Sequence, residues 1–331
     1  MAKEKVTIQD IADALGISRN TASKALNGSE SIPAETRNKV IRKAIELKYK
    51  QFAFMGSDGL LSKSSGNIAL LTENLPNTSH FGSPLISGLE KRISAEGYNL
   101  SIHIIREIEQ KSLSLPNNFE AANVDGIICI ELFDLEYSKL ITELGIPTIF
   151  IDCSAYVCYP DFRADVLLME NEHSTYQLTK KLIDGGYKTF GFVGDYNHCR
   201  SFNERWTGFN RALTEAGITL DLSQCVVDDD RFFSHPEWMD ERMAGIPHLP
   251  SVFVCANDYI AVSVMKALKN KKLSIPQDIA ICGFDNGPES VIVEPHLTTV
   301  HIFSNVMGIK AAERLLSRIN NPNQPYQVSH I

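Results

Sequence analysis

The chain has 331 residues, of which 44% are hydrophobic and 22% are charged, so it is long enough for two or three domains with sizeable cores. No apolar stretch follows the charged first residues and no run of about 18 apolar residues occurs, which predicts a cytoplasmic protein with no signal peptide and no membrane partner. The seven cysteines show no C-x-x-C pairing, which predicts reduced thiols and excludes an obvious zinc or disulfide framework.

The net charge of −8 is unevenly distributed along the chain. Residues 1–63 contain 11 Lys and Arg against 7 Asp and Glu, whereas the remainder contains 21 against 33. A basic N-terminal segment on an acidic body favours a nucleic-acid contact confined to the N-terminus. The same balance can also arise by chance in so short a segment.

The first fifty residues show the periodicity of three short helices. The first begins at Thr7, which with Asp10 resembles a capping box; Gly16 supplies a tight turn, Ser18 caps the second helix, and the third follows Pro33. The apolar positions expected to pack together are Ile8, Ile11, Ala12 and Leu15, then Ala22, Ala25 and Leu26, then Val40, Ala44 and Leu47.

The other face of the second helix, from Arg19 to about Asn27, carries hydrogen-bond donors and no acid. Such a face suits the major groove of DNA, with Arg19 placed for guanine and Asn20 for adenine. Hydroxyl groups suit phosphate oxygens. The competing interpretation is a three-helix bundle with an ordinary polar surface. The predicted DNA-contacting residues of these helices are Thr7, Ser18, Arg19, Asn20, Thr21, Ser23, Lys24 and Asn27.

These residues closely resemble the DNA-binding head of the LacI-type (lactose-repressor) family of transcriptional regulators. The resemblance covers Val6–Ser29, Glu35–Val40 and Glu46–Tyr49. It implies a helix-turn-helix domain over residues 1–49 and a homodimer that reads a pseudo-palindromic operator in double-stranded DNA. Lys24 stands where the family usually has arginine, and lysine cannot form a bidentate fork, so the base preference there is expected to differ.

Residues 50–66 correspond to the family's hinge but depart from its sequence. The usual proline is missing and Gly56 and Gly59 interrupt any helix. The family inserts a hinge leucine into the minor groove. Leu60 and Leu61 are the candidates for that role here, with ordinary linker residues as the equal alternative.

From residue 67 the sequence alternates short apolar runs with helical stretches, which predicts parallel sheets with right-handed crossovers. The predicted fold is therefore an all-α helix-turn-helix head followed by an α/β sensor with two doubly wound parallel-sheet lobes. The resemblance implies a periplasmic-binding-protein-like sensor over residues 67–331, whose chain crosses between lobes near residues 160, 288 and 320. Lobe one would then hold 67–160 and 288–320, and lobe two 161–287 and 321–331.

A small molecule is expected to bind between the lobes, outside the carboxyl ends of the strands. Matching family motifs place an arginine and carboxylates there, which offer donors and acceptors to a polyol, together with aromatic faces for stacking. The alternative for Asn257 and Asp258 is helix capping, and for Arg205 an ordinary surface position. The candidate ligand-binding residues are His80, Phe81, Arg205, Phe232, Asn257, Asp258 and Asp285.

The expected effector is a sugar or sugar derivative, with a purine or nucleoside as the alternative. Residues 169–175 depart from the family, with E-N-E-H-S in place of D-N-R-A-G, and Glu172 puts an acid where a base is common. That substitution slightly disfavours a phosphorylated or carboxylate effector and a phosphocarrier corepressor.

Two other functions fit the sensor fold less well. No nucleophile elbow, H-E-x-x-H, Walker or G-x-G-x-x-G motif occurs, which argues against an enzyme and predicts no cofactor. A solute-binding protein would need an export signal and no DNA-binding head. The acidic run Asp228–Asp230 could attract a cation, but neighbouring acidic side chains cannot all converge on one ion, which favours a solvated loop.

Overall fold

The computed structural model describes residues 6–26, 29, 31–47, 49, 66–74, 82–228, 232–233 and 235–331. The chain divides into two compact units, residues 1–65 and 66–331. The predicted hinge, residues 50–66, lies outside the described residues except for Gly66, as do the two leucines assigned to it.

The first unit contains three helices, α1 (Ile8–Leu15), α2 (Arg19–Leu26) and α3 (Ala34–Glu46). Thr7 and Asp10 form the predicted capping box, with the Thr7 amide donating to Asp10 Oδ2 at 2.7 Å. The small core contains the predicted apolar positions of all three helices, either fully buried or packed against its edge, together with Tyr49.

The second unit alternates strands and helices. The strands are β1 (Asn67–Thr72), β2 (Asn99–Ile104), β3 (Gly126–Ile130), β4 (Thr148–Ile151), β5 (Asp165–Leu168), β6 (Phe190–Val193), β7 (Val252–Cys255), β8 (Ala280–Cys282) and β9 (Val328–His330). The helices are α4 (Gly82–Ser94), α5 (Glu107–Ser112), α6 (Leu135–Glu143), α7 (Glu172–Asp184), α8 (Arg200–Glu215), α9 (Pro236–Gly245), α10 (Asp258–Asn270), α11 (Glu289–Ile292) and α12 (Ser304–Asn320).

In the described part of the chain, lobe one is built on a parallel sheet of six strands in the order β2-β1-β3-β4-β5-β9. Alternate residues of its strands point to opposite faces. Ile68 and Leu70 pack with α4 and α12, whereas Ala69 and Leu71 pack with α6. Both faces are therefore covered by helices, as the near-continuous apolar runs of the strands predict.

Lobe two is built on the parallel strands β6, β7 and β8. Helices α8, α9 and α10 contribute to its core, which includes Phe209, Met239 and Val264. The carboxyl ends of β6, β7 and β8 lead into the loops that carry several of the predicted ligand-binding residues.

The strand pairings contradict the predicted lobe limits at two points. Strand β5 pairs with β4 in the sheet of lobe one, so the first crossing follows residue 168 and does not lie near 160. The crossing predicted near 288 stays a prediction. Strand β9 pairs with β5, so residues 321–331 stay with lobe one. Strand periodicity is local and does not identify the sheet in which a strand finds its partner.

Among the described helices, none combines the length and apolar character needed to span a bilayer.

Candidate functional site

The polar face of α2 presents the groups expected to meet DNA. Arg19, Asn20 and Lys24 are exposed, whereas Thr21 and Ser23 are half-buried. Ala22 and Ala25, on the opposite face, are buried in the core of the head. The described part of α2 therefore exposes two cations and an amide, with no acid among them.

Two predicted DNA-contacting residues, Ser18 and Thr7, cap helices. Ser18 Oγ accepts the Thr21 amide at 3.0 Å and lies 2.8 Å from the Thr21 hydroxyl, so it caps α2 as predicted. Thr7 caps α1. Asn27 lies outside the described residues.

Arg205 is the central charged group of the second unit. It lies on α8, is 3% exposed, and extends toward the chain that links the two lobes. Its Nε donates to Asn171 Oδ1 at 2.9 Å and its Nη1 donates to the Ala256 carbonyl at 2.6 Å. The alternative of an ordinary surface position is thus wrong for Arg205.

Gly208, three residues after Arg205 on α8, allows Arg205 to reach this position. A Cβ atom at Gly208 would lie 2.0 Å from the Glu172 carbonyl oxygen, so α8 can cross the start of α7 this closely only with glycine there. The crossing places Arg205 beside Asn171, which immediately precedes α7. Asn171 is fully buried and also donates to Ser201 Oγ and Glu204 Oε2.

Asn257 and Asp258 are engaged within the protein. Asn257 Oδ1 accepts a hydrogen bond from the Ile260 amide at 2.9 Å and so caps α10. Helix capping was the alternative to a ligand-binding role for this residue. Asp258 Oδ1 accepts from the Thr299 hydroxyl at 2.6 Å and Oδ2 accepts from the Gly287 amide at 2.9 Å. Asp258 is 1% exposed, and burial raises its pKa to about 6 despite these hydrogen bonds. Its carboxylate anchors the loop that follows β8.

Asp285, which follows β8 in that loop, differs from Asp258 in its partners. Its Oδ1 lies 3.5 Å from Arg205 Nη2, and its side chain is 14% exposed. Its backbone has φ 115°, a left-handed value that non-glycine residues rarely adopt and that is concentrated at functional sites. Burial raises the pKa of Asp285 to about 7, opposed by Arg205 and reinforced by neighbouring acids.

Replacing Asp285 with asparagine is expected to raise the free energy of unfolding by about 1–3 kcal/mol near pH 8. The folded-state pKa lies above the ordinary value of 3.8, so the cost of ionising the buried carboxyl is absent at low pH and grows as the pH rises toward about 7. The wild type should lose stability relative to Asp285→Asn over that interval, measured by urea unfolding at a series of pH values.

Asp184→Asn serves as the control for this prediction, because Asp184 is exposed at the end of α7. Asp184→Asn should change the free energy of unfolding by no more than about 0.5 kcal/mol at every pH. A stability difference for Asp285→Asn that does not change with pH would contradict the prediction.

The aromatic surface around Arg205 comes from residues that the sequence did not indicate. The guanidinium carbon lies 3.7 Å from the ring centroid of Phe284 and 5.6 Å from that of Phe202. Phe133, which follows β3 in lobe one, meets His198 of lobe two edge to face at 4.8 Å. Phe232 is 45% exposed and is not among these contacts. His80 and Phe81 lie outside the described residues.

Several contacts join the lobes at the carboxyl ends of the lobe-one strands. Asp152 Oδ1 accepts the Ser201 amide at 3.2 Å, and the Arg200 amide donates to the Cys153 carbonyl at 2.7 Å. Asp152 and Glu131 both have left-handed backbone conformations, with φ 63° and 52°. The strand ends of both lobes therefore carry carboxylates on strained backbone, with Asp285 in lobe two.

Asp228, the first residue of the acidic run, pairs with Arg242 at 2.7 Å. Asp229 and Asp230 lie outside the described residues. Within the described part of the chain, no group of three or more histidine, cysteine or acidic side chains is arranged to hold a metal ion.

Two family models match the chain. Residues 7–51 match the lacI family of bacterial regulatory proteins, and residues 179–331 match a periplasmic binding protein-like domain. The first match contains α1 to α3, and the second contains Arg205 and Asp285.

Similar proteins include HTH-type transcriptional repressors aligned over nearly the whole chain. PurR of Vibrio vulnificus (strain CMCP6) is 28% identical over 324 residues, covering 97% of this chain and 94% of the relative. The probable repressor ExuR of Bacillus subtilis (strain 168) is 28% identical over 321 residues, covering 96% and 92%.

Solved structures share the fold. A complex of the transcriptional regulator CelR with cellobiose superposes with a TM-score of 0.70 at 22% identity, covering 98% of this chain and 97% of the other. The lac repressor dimer bound to operator and the anti-inducer ONPF gives a TM-score of 0.70 at 22% identity, covering 99% and 97%. With a head that matches the lacI family of bacterial regulatory proteins, a sensor that matches a periplasmic binding protein-like domain, and repressors similar to it along nearly its whole length, the protein is a DNA-binding transcriptional regulator.

Proposed function

We propose that this regulator binds a pseudo-palindromic operator as a homodimer, and that a sugar or sugar derivative bound between the lobes of residues 66–331 changes its operator affinity. The observation that carries the proposal is the buried Arg205–Asp285 pair, 3.5 Å apart at the strand ends of the sensor, in a chain whose α2 exposes cations and no acid. A protein that acts on the chromosome in this way works in the cytoplasm.

The similar structures support each part of the proposal. The lac repressor structure is a dimer on its operator, the CelR structure contains cellobiose, and a LacI-family regulator from Enterococcus faecium contains ribose, with a TM-score of 0.65 at 21% identity over 80% of this chain. The PurR relatives favour the alternative effector, a purine or nucleoside.

The proposed mechanism is a shift between two arrangements of the lobes. A ligand changes that balance only by contacting the two arrangements differently. Contacts that break or form when the lobes move include Asp152 with the Ser201 amide and Glu204 with His330, whose Oε1 and Nε2 atoms are 3.3 Å apart. A ligand beside Arg205 and Asp285 would stabilise one set of these contacts over the other.

The test is selection of genomic fragments by the purified full-length protein at about 150 mM salt, followed by sequencing. Enrichment of one pseudo-palindromic site supports the proposal, and the genes beside that site then indicate the effector class. Binding that depends on salt but not on sequence would refute operator recognition by this head.

Asn20→Ala is expected to weaken binding to the selected operator about 5- to 150-fold and to relax the preference at one base pair. The reason is that the exposed amide of Asn20 can make two hydrogen bonds to an adenine edge. Fluorescence anisotropy with operator duplexes substituted at each position measures both effects.

Asn38→Ala is the matched control for Asn20→Ala, because it removes the same side chain from α3 and leaves α2 unchanged. It should leave operator affinity unchanged within about twofold. If the two variants weaken binding equally, the assignment of α2 as the recognition helix is wrong.

A further inference from the structure

We propose that the effector carries no negative charge and that it donates hydrogen bonds from hydroxyl or ammonium groups to the carboxylate of Asp285. This inference depends on the proposed ligand-binding role of the sensor. It narrows the ligand class to neutral sugars and amino sugars, and excludes uronates and sugar phosphates. Three observations lead to it: the charges around Asp285, the existing partners of Arg205, and the cavity that Asp285 lines.

Besides burial, which raises the pKa of Asp285 most, one base lowers that pKa and three acids raise it. Arg205 is the base, Asp258 and Glu289 are acids of lobe two, and Glu131 is an acid of lobe one. Repulsion between like charges is strong where water is largely excluded. An anionic ligand at Asp285 would therefore meet more negative than positive charge, whereas a neutral or cationic ligand would not.

Arg205 is poorly placed to compensate an additional anion. Its Nε and Nη1 atoms donate to Asn171 and Ala256, and its Nη2 atom is 2.7 Å from Met169 Sδ and 3.5 Å from Asp285. Phe284 lies against the face of the guanidinium. A ligand carboxylate or phosphate could reach this cation only by displacing a partner that is already in place.

Asp285 has acceptor capacity to spare. No described residue donates a hydrogen bond to its carboxylate, and the 3.5 Å separation from Arg205 Nη2 exceeds the usual N–H···O distance. A carboxylate has about four acceptor sites. Asp258 has both oxygens occupied, so Asp258 contributes charge while Asp285 remains available to accept from a ligand.

Asp285 also lines a cavity of about 750 Å³, a volume within the usual range for small-molecule sites. The lining includes Asn286 and His301, whose Nδ2 and Nδ1 atoms are 3.0 Å apart, and the ring of Phe303. The cavity thus offers an acceptor, polar side chains and an aromatic ring, which matches a hydroxylated ring compound.

The experiment uses calorimetry on the full-length protein with matched sugars. Glucose, galactose, mannose and ribose are compared with the available 2-amino, uronate and phosphate derivatives of each. We expect the tightest ligand to be a neutral sugar or an amino sugar, and its anionic counterpart to bind at least about thirtyfold more weakly. Comparing the affinity of each neutral sugar with that of its 2-amino derivative shows whether Asp285 prefers a hydroxyl or an ammonium donor.

Two variants test the assigned residues. Asp285→Asn should lower the affinity for the tightest ligand at least about tenfold. Its expected gain in stability separates this loss of affinity from misfolding. Glu131→Gln should leave the affinity for the neutral ligand unchanged within about threefold and raise the affinity for the uronate at least about fivefold, since it removes one repelling charge from lobe one.

Binding to the wild type near pH 7 should release a proton, because Asp285 ionises when it accepts hydrogen bonds from the ligand. Comparing the binding heats in two buffers with different ionisation enthalpies measures this release.

An anionic sugar that binds as tightly as its neutral counterpart would overturn the inference. So would an affinity unchanged in Asp285→Asn, or the absence of binding by every sugar up to about 10 mM. Failure of the regulator assignment would appear separately, as the absence of sequence-specific DNA binding by the same preparation without any ligand.

Discussion

Replacing Asp165 with alanine is expected to lower the free energy of unfolding of residues 66–331 by about 3–5 kcal/mol. Asp165 begins β5 and is 1% exposed, and Arg318 of α12 is 2% exposed. Arg318 donates to both Asp165 oxygens at 2.9 Å, and Arg314 donates to Oδ1 at 2.8 Å. Without Asp165, one fully buried guanidinium loses its counter-charge.

The same carboxylate fixes the position of β9. Asp165 Oδ1 accepts the Gln327 amide at 2.9 Å, and Arg318 Nη2 donates to the Pro325 carbonyl at 2.9 Å. Although burial alone would raise the pKa of Asp165, the hydrogen bonds from Arg318, Arg314 and Gln327 lower it below 3.8 overall. The stability that Asp165 contributes is therefore present at neutral pH and lost as the pH falls through that lowered pKa.

Urea unfolding of the full chain, monitored by circular dichroism, measures this effect. Lys111→Ala is the control, because Lys111 pairs with Glu107 on the surface, where both side chains are more than 70% exposed. Surface pairs contribute little to stability, so this control should unfold like the wild type. A loss below about 1 kcal/mol for Asp165→Ala would show that the buried cluster is not stabilising.

Replacing Gly308 with alanine is expected to lower the free energy of unfolding by about 2–4 kcal/mol, because α12 cannot then keep its present contact with α4. A Cβ atom at Gly308 would lie 2.1 Å from the Leu85 carbonyl oxygen and 2.9 Å from the Leu89 amide nitrogen. Both of these are backbone atoms of α4, so no side chain can rotate away. The two helices would have to separate, and the core between them and the sheet would open.

Gly245→Ala is the matched control for Gly308→Ala. Gly245 also lies in a helix, α9, but nothing lies within 4 Å of the position that its Cβ would occupy. There the substitution should be neutral or stabilise by up to about 1 kcal/mol, because alanine favours the helix. Equal losses from the two substitutions would show that helix propensity, and not the close contact, decides the cost.

Thermal unfolding followed by near-ultraviolet circular dichroism separates these variants. Gly308→Ala should lower the melting temperature and weaken the aromatic signal of the sensor, whereas Gly245→Ala should leave both nearly unchanged. Operator binding of the head gives an independent readout for each, since α1 to α3 belong to the separate unit of residues 1–65.

The elements themselves could be predicted from the sequence because their signals are local. Strands β3, β6 and β7 coincide with short apolar runs of the sequence, at Gly126–Ile130, Phe190–Val193 and Val252–Cys255. The caps at Thr7 and Ser18 were equally evident, because a capping side chain and its amide are only three residues apart.

The partners of the charged residues could not be predicted in the same way. Arg205 meets Ala256 51 positions away, and Asp258 meets Thr299 41 positions away. Which carboxylate is occupied and which is open therefore depends on contacts between elements. For the same reason the sequence did not indicate Phe202 and Phe133 as residues near the site, whereas it indicated Phe232, which lies beside an acidic run.

By itself the sequence determined the three-helix head, the alternation of strands and helices in the sensor, and the resemblance to lacI-type regulators. Only the tertiary structure decided that β5 and β9 join lobe one, that Asp258 is occupied, and that Asp285 is the carboxylate left open. The physical reason is one of range. Periodicity and capping act over a few residues, whereas strand pairing, burial and the cost of an unpaired charge depend on residues that folding brings together from distant parts of the chain.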